Sequence, residues 1–433
     1  DRFITPDDFD GMRNILCTPV CNGGGTTYDE SGMITEEEFL NYVGYYEGDT
    51  LKDTFFDTFL FSPYAAFTND ADKIRFAGWK YYVESQFVAD RNLHALNAAV
   101  KTVGAGLGRD DLKVNIFFSI LRTNPTNADK SVNTFGDIDG DGIDDSFDKI
   151  ENRKKAIKWM IDTQLQMYRD AGFDRLNLAG FYWQEEHIFL DDPQELELLQ
   201  YASDYVHGLG YKLMWIPYYQ AQGFEGWKNY GFDLACLQPN YSFMSVTDND
   251  RLASTALQAR MHGMCVELEL SAYTNRVNIE RYKQYLEYGV KCGYMNAVKV
   301  YYIGGIPGDL TLALSSDDPY TRSIYEDTYR FAKGLLDETY NQQSEEDLAA
   351  PQDAAVSTAV NQAVRGKLEI DGSGYLALSI TVSPKYGALR LDSDGSFLYT
   401  PFQNYTGTDS FSVAAVYGSG TSKSATVTIT VGT

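Results

Sequence analysis

The repeated alternation of short β-rich runs with helical stretches constrains the fold of this chain more than any other feature. Eight runs rich in β-branched and aromatic residues occur within the first 340 residues, separated by polar loops and helical patterns. Alternating strands and helices predict a parallel sheet covered by helices, and eight strands close such a sheet into a barrel. The predicted strands are Arg13–Thr18, Thr54–Ser62, Lys113–Leu121, Arg175–Trp183, Lys212–Tyr218, Asp233–Pro239, Cys265–Leu270 and Ala297–Ile303.

Helical periodicity with charged faces fills much of the sequence between these strands. An open doubly wound sheet is the alternative, but that fold usually carries a glycine-rich phosphate turn after its first strand. The turn here, Asn22–Thr27, has neither the P-loop lysine nor the GxGxxG spacing. We therefore predict an α/β fold in which residues 1–340 form a (β/α)8 TIM barrel. The predicted helices include Asn152–Asp170, Pro193–Gly208, Asp248–His262, Asn278–Lys291 and Thr321–Asp337.

The composition and the hydrophobic pattern of the sequence change after residue 340. Residues 341–355 are polar, acidic and alanine-rich without apolar periodicity, which indicates a linker. Residues 356–433 alternate apolar and polar positions between glycine-containing turns and predict an all-β Ig-like sandwich. Through Pro384–Gly387, Gly395–Pro401 and Tyr405–Phe411, this part resembles the bacterial cadherin-like or Ig-like modules of secreted proteins. The resemblance implies a location outside the cell, with the module acting as a spacer.

The negative charge of the chain is concentrated in its first 350 residues. The net charge is −25, and residues 351–433, with six acids and five bases, contribute only −1 of it. A surface with this much negative charge repels phosphate backbones and anionic lipids. The charge therefore argues against nucleic acid as a partner and favours neutral or cationic substrates. No apolar run reaches the roughly 18–20 residues that span a bilayer, so we expect no membrane insertion.

An acidic loop between the third predicted strand and its helix has the spacing of a calcium site. Aspartates at its first, third and fifth positions and glycine at its sixth match an EF-hand-type loop, whose oxygens bind a hard dication. A solvated acidic turn is the alternative. We expect structural Ca²⁺ to be held by Asp137, Asp139, Asp141, the backbone carbonyl of Ile143, Asp145 and Asp148.

Two predicted strands carry unusual acids where barrel enzymes carry their chemistry, at the carboxyl ends of the strands. The fourth leads into Glu185 and Glu186. On the seventh, Glu267 and Glu269 are two residues apart, so both side chains face the same side. The apolar residues between them suit the helix-facing side, which turns both glutamates toward the barrel axis. Acids inside a barrel are costly unless they are paired or functional, so we interpret these residues as catalytic candidates.

Acids on strands four and seven can flank a glycosidic bond, one protonating the leaving oxygen and the other attacking the sugar or activating water. In this arrangement the chain resembles the clan-A glycoside hydrolases, whose acid/base ends strand four and whose nucleophile lies on strand seven. The resemblance implies Glu186 as acid/base and Glu269 as nucleophile, with Glu185 and Glu267 as alternatives. Clan-A enzymes usually have asparagine before the acid/base. Here Glu185 stands before Glu186, and if Glu185 is the acid, Gln184 takes the place of that asparagine.

Aromatic and polar residues cluster at the same predicted rim. Sugar rings stack their apolar faces on aromatic planes, and neighbouring polar side chains bind the hydroxyls. Tyr218 or Tyr302 is also expected to hydrogen-bond the nucleophile. The predicted substrate-binding residues are Trp79, Arg122, Tyr182, Trp183, Gln184, Tyr218, Gln238, Asn240 and Tyr302.

These features together predict a secreted or cell-surface attached glycoside hydrolase, a monomer of the retaining type that cleaves a polysaccharide or glycan. The run from Gly180 to Glu186 also resembles secreted barrel families of unknown function. We expect no organic cofactor, and we expect a signal peptide to have been removed, since Asp1–Ile4 carries no apolar leader. The alternative is a non-catalytic carbohydrate-binding or cell-surface protein whose barrel has lost turnover. Cys17 and Cys21 form either a local disulfide or two free thiols.

Overall fold

The computed structural model of this chain places a closed barrel of eight parallel strands before an all-β domain of two sheets. The predicted fold class is therefore confirmed. The structure describes residues 2–20, 33–63, 75–127, 129–243, 250–341, 348–370, 372 and 374–432.

Each of the eight predicted runs supplies one strand of the barrel. The predicted run Thr54–Ser62 is longer than its strand. Thr54 pairs instead with Gly44 in a separate hairpin, and residues 55–57 lie outside both strands. The barrel strands are β1 (Asn14–Pro19), β2 (Thr58–Ser62), β3 (Val114–Ile120), β4 (Leu176–Trp183), β5 (Lys212–Trp215), β6 (Leu234–Leu237), β7 (Cys265–Glu269) and β8 (Lys299–Tyr302). They are hydrogen-bonded in chain order, and β8 closes the ring on β1.

Helices cover the outside of the barrel, and none of those in the described part of the chain could span a lipid bilayer. The last predicted helix, Thr321–Asp337, ends early because Gly334 takes a left-handed φ of 72°, which stops a helix. The helices are α1 (Glu36–Val43), α2 (Phe76–Ser85), α3 (Asn92–Gly106), α4 (Ile150–Ala171), α5 (Glu195–Gly208), α6 (Asp250–Met261), α7 (Arg276–Cys292), α8 (Asp309–Leu312), α9 (Pro319–Arg322) and α10 (Ile324–Ala332), with 3₁₀ turns at Pro6–Asp8, Phe224–Tyr230, Tyr294–Asn296 and Ala313–Ser315.

The barrel strands separate two apolar layers, because successive side chains of a strand point to opposite faces. On β7, Val266 and Leu268 pack in the outer layer under the helices, whereas Cys265 packs in the inner layer around the barrel axis. Glu267 and Glu269 alternate with the two outer residues and so share the inward face with Cys265.

A glycine allows one close approach between strands of the barrel. At Gly180 on β4, an added Cβ would lie 2.1 Å from the backbone oxygen of Lys212 on β5 and 2.9 Å from the ring of Phe117 on β3. Any side chain here would push the three strands apart. The glycine thereby keeps the end of β4, with the acids that follow it, against its neighbours.

The C-terminal domain pairs a larger sheet with a three-stranded sheet around an apolar core that includes Phe397, Phe411 and Val427. Its strands are β9 (Ala354–Ala359), β10 (Val364–Lys367), β11 (Ala377–Val382), β12 (Gly387–Leu391), β13 (Ser396–Pro401), β14 (Gly407–Tyr417), β15 (Gly420–Thr421) and β16 (Ala425–Gly432). The larger sheet has the order β9-β16-β14-β11, with β15 beside β14, and the smaller has the order β10-β13-β12.

The boundary between the domains differs from the predicted linker over residues 341–355. Leu348 lies within that linker but is buried against Ala415 and Tyr417 of the sandwich, because an apolar side chain gains from leaving water. Strand β9 also begins at Ala354, before the predicted boundary. The C-terminal part of the linker thus belongs to the sandwich.

The sandwich packs directly on α7. An added Cβ at Gly418 would lie 2.9 Å from the side chain of Gln284, and one at Gly374 would lie 2.1 Å from that of Arg276. Helix α7 is therefore covered on two sides, by the barrel and by the sandwich, and its polar residues Glu280 and Gln284 are buried.

Candidate active site

A cavity of about 340 Å³ opens at the carboxyl ends of the barrel strands, the end at which such barrels carry their active sites. We call it the central cavity. Among the residues that the structure describes, every barrel strand other than β3, or the loop that follows it, contributes to the lining. The lining residues are Cys17, Leu60, Ser62, Pro63, Tyr182, Gln184, Glu186, Ile216, Tyr218, Gln238, Asn240, Phe243, Glu267, Glu269 and Tyr302.

Three of the four predicted catalytic glutamates line the central cavity. Glu267 and Glu269 are 4% and 2% exposed, and Glu186 is half-buried. Glu185 is not part of the lining, and its backbone oxygen accepts a hydrogen bond of 2.7 Å from the indole of Trp215. The structure thus brings the acid at the end of β4 together with both acids of β7.

Six of the predicted substrate-binding residues also line the cavity, but Trp79 and Trp183 do not. Trp183 alternates with the inward-facing Tyr182, so its ring points to the outer layer and is fully buried. Trp79 is fully buried too, with its ring centroid 4.8 Å from that of Phe135. Both indoles belong to the apolar core and cannot contact a substrate in the cavity.

Arg122, another predicted substrate-binding residue, also lies outside the central cavity. Its guanidinium contacts Glu195 and Asp192, each at 3.0 Å, and Arg153 contacts Asp192 at 2.8 Å. All four side chains are at most 8% exposed. Two arginines and two acids neutralise one another here, which is how buried charges are tolerated. Their role is to fix the loop after β4 between α4 and α5.

Glu269 is held by several hydrogen-bond donors. The hydroxyl of Tyr285 on α7 and the backbone N–H of Tyr241, at 3.2 Å, both donate to its carboxylate. Asn240 precedes Tyr241 with a left-handed φ of 53°, a conformation that asparagine tolerates better than most residues. Burial raises the pKa of Glu269 to about 7, although the donors Tyr285 and Tyr241 act in the opposite direction. Near neutral pH the carboxyl group is therefore partly ionised.

Glu267 has a different environment on the same strand. Burial, followed by the charges of Glu269 and Glu186, raises its pKa well above the usual range. The thiol of Cys17, 3.8 Å from a carboxyl oxygen of Glu267, opposes this shift only weakly. Burial and the neighbouring charges therefore favour the protonated form of Glu267, whereas Glu269 has hydrogen-bond donors that favour its carboxylate.

The contributors to the site that were not among the predicted residues include Tyr285, Phe243 and Cys17. Tyr285 donates to Glu269, and its position on a helix gives no sequence signal for this contact. Phe243 lines the cavity, is 52% exposed and lies 6.0 Å from the ring of Tyr302. Cys17 was considered only for a disulfide, but the alternation along β1 indicates that it faces inward.

The predicted disulfide between Cys17 and Cys21 involves a residue outside the described ones. Cys17 itself carries a free thiol. The glycine-rich turn that follows, Asn22–Thr27, also lies outside the described residues.

The predicted calcium loop brings some of its acids together. Asp137, Asp139 and Asp145 each place a carboxylate oxygen within 4.8 Å of the others, which fits a hard cation. The ammonium group of Lys155 on α4 contacts both Asp139 and Asp145 at 2.6 Å. Asp141 and Asp148 are not part of this cluster; Asp141 accepts from the N–H of Ile143, and Asp148 accepts from the hydroxyl of Ser146.

Two family models match the chain. The family described as Domain of unknown function (DUF4855) matches residues 22–330, and the family described as Bacterial cadherin-like domain matches residues 326–433. The second match agrees with the all-β domain of the structure. A comparison with curated proteins finds no match.

The chain also matches solved structures at low identity. Eubacterium rectale Amy13B is 9% identical, with 96% of this chain and 88% of that one covered and a TM-score of 0.40. An α-amylase from Malbranchea cinnamomea is 10% identical, with 92% and 97% covered and a TM-score of 0.37. A fructose-bisphosphate aldolase from Slackia heliotrinireducens DSM 20476 is 13% identical, with 77% and 89% covered and a TM-score of 0.35. Similarity at this level does not identify an activity.

Proposed function

The chain belongs to the family described as Domain of unknown function (DUF4855), and we propose that this member is a secreted glycoside hydrolase acting on a neutral or amino-sugar-containing glycan. The observation that carries the proposal is the meeting of Glu186, Glu267 and Glu269 in one open cavity of about 340 Å³. Carboxyl groups on opposite strands of a barrel can act on the two sides of one glycosidic bond. The acidic surface favours an uncharged substrate, and the cadherin-like domain supports a location outside the cell.

The environments of the acids support different roles in a retaining mechanism. Glu269, held by Tyr285 and backbone N–H groups, attacks the anomeric carbon as a carboxylate and forms a glycosyl ester. Glu186 protonates the leaving oxygen and then removes a proton from the water that cleaves the ester. Glu267, whose protonated form is favoured by burial and by the charges of Glu269 and Glu186, donates a hydrogen bond to a sugar hydroxyl.

A screen of glycans tests this function directly. Purified protein is incubated with starch, cellulose, xylan, mannan, galactan and chitin, together with host and bacterial glycans, and released reducing ends are measured. We expect turnover of at least one neutral glycan. NMR of the first product should show the same anomeric configuration, α or β, as the substrate. Binding without product release on every glycan would instead identify a carbohydrate-binding protein, and inversion would exclude Glu269 as a nucleophile.

Hydrolysis is expected to lose activity as the pH falls below about 7. The pKa of Glu269 is raised to about 7, and a protonated carboxyl group cannot attack, so the acid limb of kcat/KM lies near that pH. In Tyr285→Phe the lost hydrogen bond no longer favours the carboxylate, and the acid limb should move up by about one pH unit. The pH profile of kcat/KM measures both values.

Tyr282→Phe is the matched control for this experiment. Tyr282 lies on the same helix and is equally buried, but its hydroxyl pairs with Thr328, at 2.8 Å, and not with an acid of the cavity. Its pH profile should match the wild type. Equal profiles for the two variants would show that Tyr285 has no influence on the titrating group.

We also propose that the loop containing Asp137, Asp139 and Asp145 binds Ca²⁺ for a structural purpose. Bound calcium would supply charge that allows these three carboxylates to stay close together. A cation that binds only the folded state stabilises it by about 2.7 kcal/mol at a hundredfold excess over Kd. We therefore expect the thermal midpoint of the protein to rise with added Ca²⁺ and to fall with EDTA.

Asp139→Asn should remove this response to calcium, whereas Asp144→Asn should keep it. Asp144 is an exposed acid of the same loop that does not belong to the cluster. A thermal midpoint that ignores calcium in the wild type, or that responds equally in both variants, would contradict a specific site.

A further inference from the structure

The structure has another cavity, which we call the flank cavity. Its volume is about 500 Å³, and its lining includes Arg122, Asn124, Lys130, Phe147, Asp148 and Phe189. These residues come from the segment that follows β3 and from the loop that follows β4. Both segments leave the carboxyl ends of their strands, so the flank cavity occupies the same end of the barrel as the three glutamates.

One imidazole ring lies near residues of both cavities. His187 directly follows Glu186 in the chain, and its ring centroid is 5.4 Å from that of Tyr218, which lines the central cavity. The same ring is 6.3 Å from the ring of Phe189, which lines the flank cavity. The side chain of His187 therefore links a residue of the central cavity to a residue of the flank cavity.

The wall of the flank cavity is fixed before any ligand binds. The guanidinium carbon of Arg122 lies 3.9 Å from the ring centroid of Phe189, a cation–π contact. Arg122 is itself held by Asp192 and Glu195 in the buried ion-pair network. Because Phe189 is held by a rigid partner, a ligand that contacts its ring loses little free energy in ordering the site.

The polar groups of the flank cavity include the ammonium group of Lys130, a hydrogen-bond donor. In the described part of the chain, the ammonium group of Lys130 makes no hydrogen bond or ion pair, and the side chain is exposed. Asn124 adds an amide to the same lining, while Pro125 and Phe147 supply apolar surface. A fixed aromatic ring beside donors of this kind suits a sugar, which offers apolar faces and hydroxyl groups together.

We propose that the flank cavity is an additional sugar-binding subsite, so that the substrate is a chain of sugars held across both cavities and cut within the chain. This inference rests on the proposed hydrolase function and adds the substrate class to it. It also gives the buried ion pairs of Arg122 a role next to the cavity, because they hold the wall on which the distal sugars bind.

Phe189→Ala and Lys130→Ala test the subsite. Two substrates are compared: the polysaccharide that the wild type cleaves fastest in the screen, and the p-nitrophenyl monoglycoside of its backbone sugar. In Phe189→Ala we expect the ratio of KM for the polysaccharide to KM for the monoglycoside to rise about tenfold, the loss of one aromatic contact. In Lys130→Ala, an exposed position that leaves the fold undisturbed, a rise of about fivefold is expected.

Phe402→Ala is the matched control, because Phe402 is 56% exposed on the sandwich, away from both cavities. Its KM ratio should equal that of the wild type. An unchanged ratio in both flank variants would overturn the subsite and leave the hydrolase intact. A wild type that cleaves only the monoglycoside would do the same, whereas a wild type that cleaves nothing would overturn the proposed function itself.

Discussion

Glu269→Gln and Glu186→Gln are each expected to lower kcat about a thousandfold, because each variant removes a carboxyl group that forms or breaks a bond at the sugar. Both residues line the central cavity, and the amide has nearly the shape of the acid, so the fold should be kept. Initial rates on the best glycan of the screen measure the loss.

Glu269→Gln has a second expected result, which concerns stability. Burial raises the pKa of Glu269 from 4.5 to about 7, so the folded state favours the protonated acid and is destabilised when the pH rises through that range. Above pH 7 the neutral glutamine should therefore stabilise the protein by roughly 3 kcal/mol, and below pH 4.5 the gain should vanish. Urea denaturation at both pH values measures this difference.

Glu185→Gln is the control for the kcat measurements on Glu269→Gln and Glu186→Gln. Its neighbour Glu186 lines the cavity, but Glu185 does not, so the variant should retain most of the kcat of the wild type. A loss in Glu185→Gln as large as that in Glu186→Gln would move the acid/base role to Glu185. Wild-type kcat in Glu269→Gln would remove the nucleophile from the proposed mechanism.

Arg153→Met is expected to cost about 3–5 kcal/mol of unfolding free energy, the largest effect on stability that the structure predicts. Arg153 has no exposed side-chain surface and contacts Asp192 at 2.8 Å and Glu195 at 3.8 Å. Without it, one arginine remains for two buried acids, and one negative charge is left without a partner. Urea denaturation measures the loss.

Lys158→Met is the matched control on the same helix. Lys158 pairs with Asp162 while both side chains are about half exposed, and exposed pairs of this kind contribute roughly 0–1 kcal/mol. The two variants remove the same charge from α4, so the difference between them isolates the effect of burial. Equal losses would mean that the buried network contributes no more than a surface pair.

Alternation along the strands explains which parts of the site the sequence could predict. The inward direction of Glu267 and Glu269 follows from a period of two, and so does the place of Tyr182. The same rule, applied to Trp183, turns its ring outward into the core, but the prediction grouped it with Tyr182 because both are aromatic. Residue type alone is a poor guide to a cavity when aromatic residues also fill the core.

The sequence pattern could not predict contacts between segments that are distant along the chain. Arg122 follows β3, and the sequence predicted that it binds a sugar. Its partners Asp192 and Glu195, however, come from the loop after β4 and from α5. Tyr285 meets Glu269 only because α7 packs over β7. Such pairs depend on the packing of helices on the barrel, for which local periodicity carries no information.

The double packing of α7 has a consequence for how such proteins diversify. A module moves freely between proteins when few contacts cross its junction. Here the cadherin-like match begins at residue 326, inside α10, and the turn at Gly418 rests on Gln284 of the barrel. Removing this sandwich, or exchanging it for a different module, would expose the face of α7 that it covers in this chain. The two halves are therefore expected to be inherited as a pair.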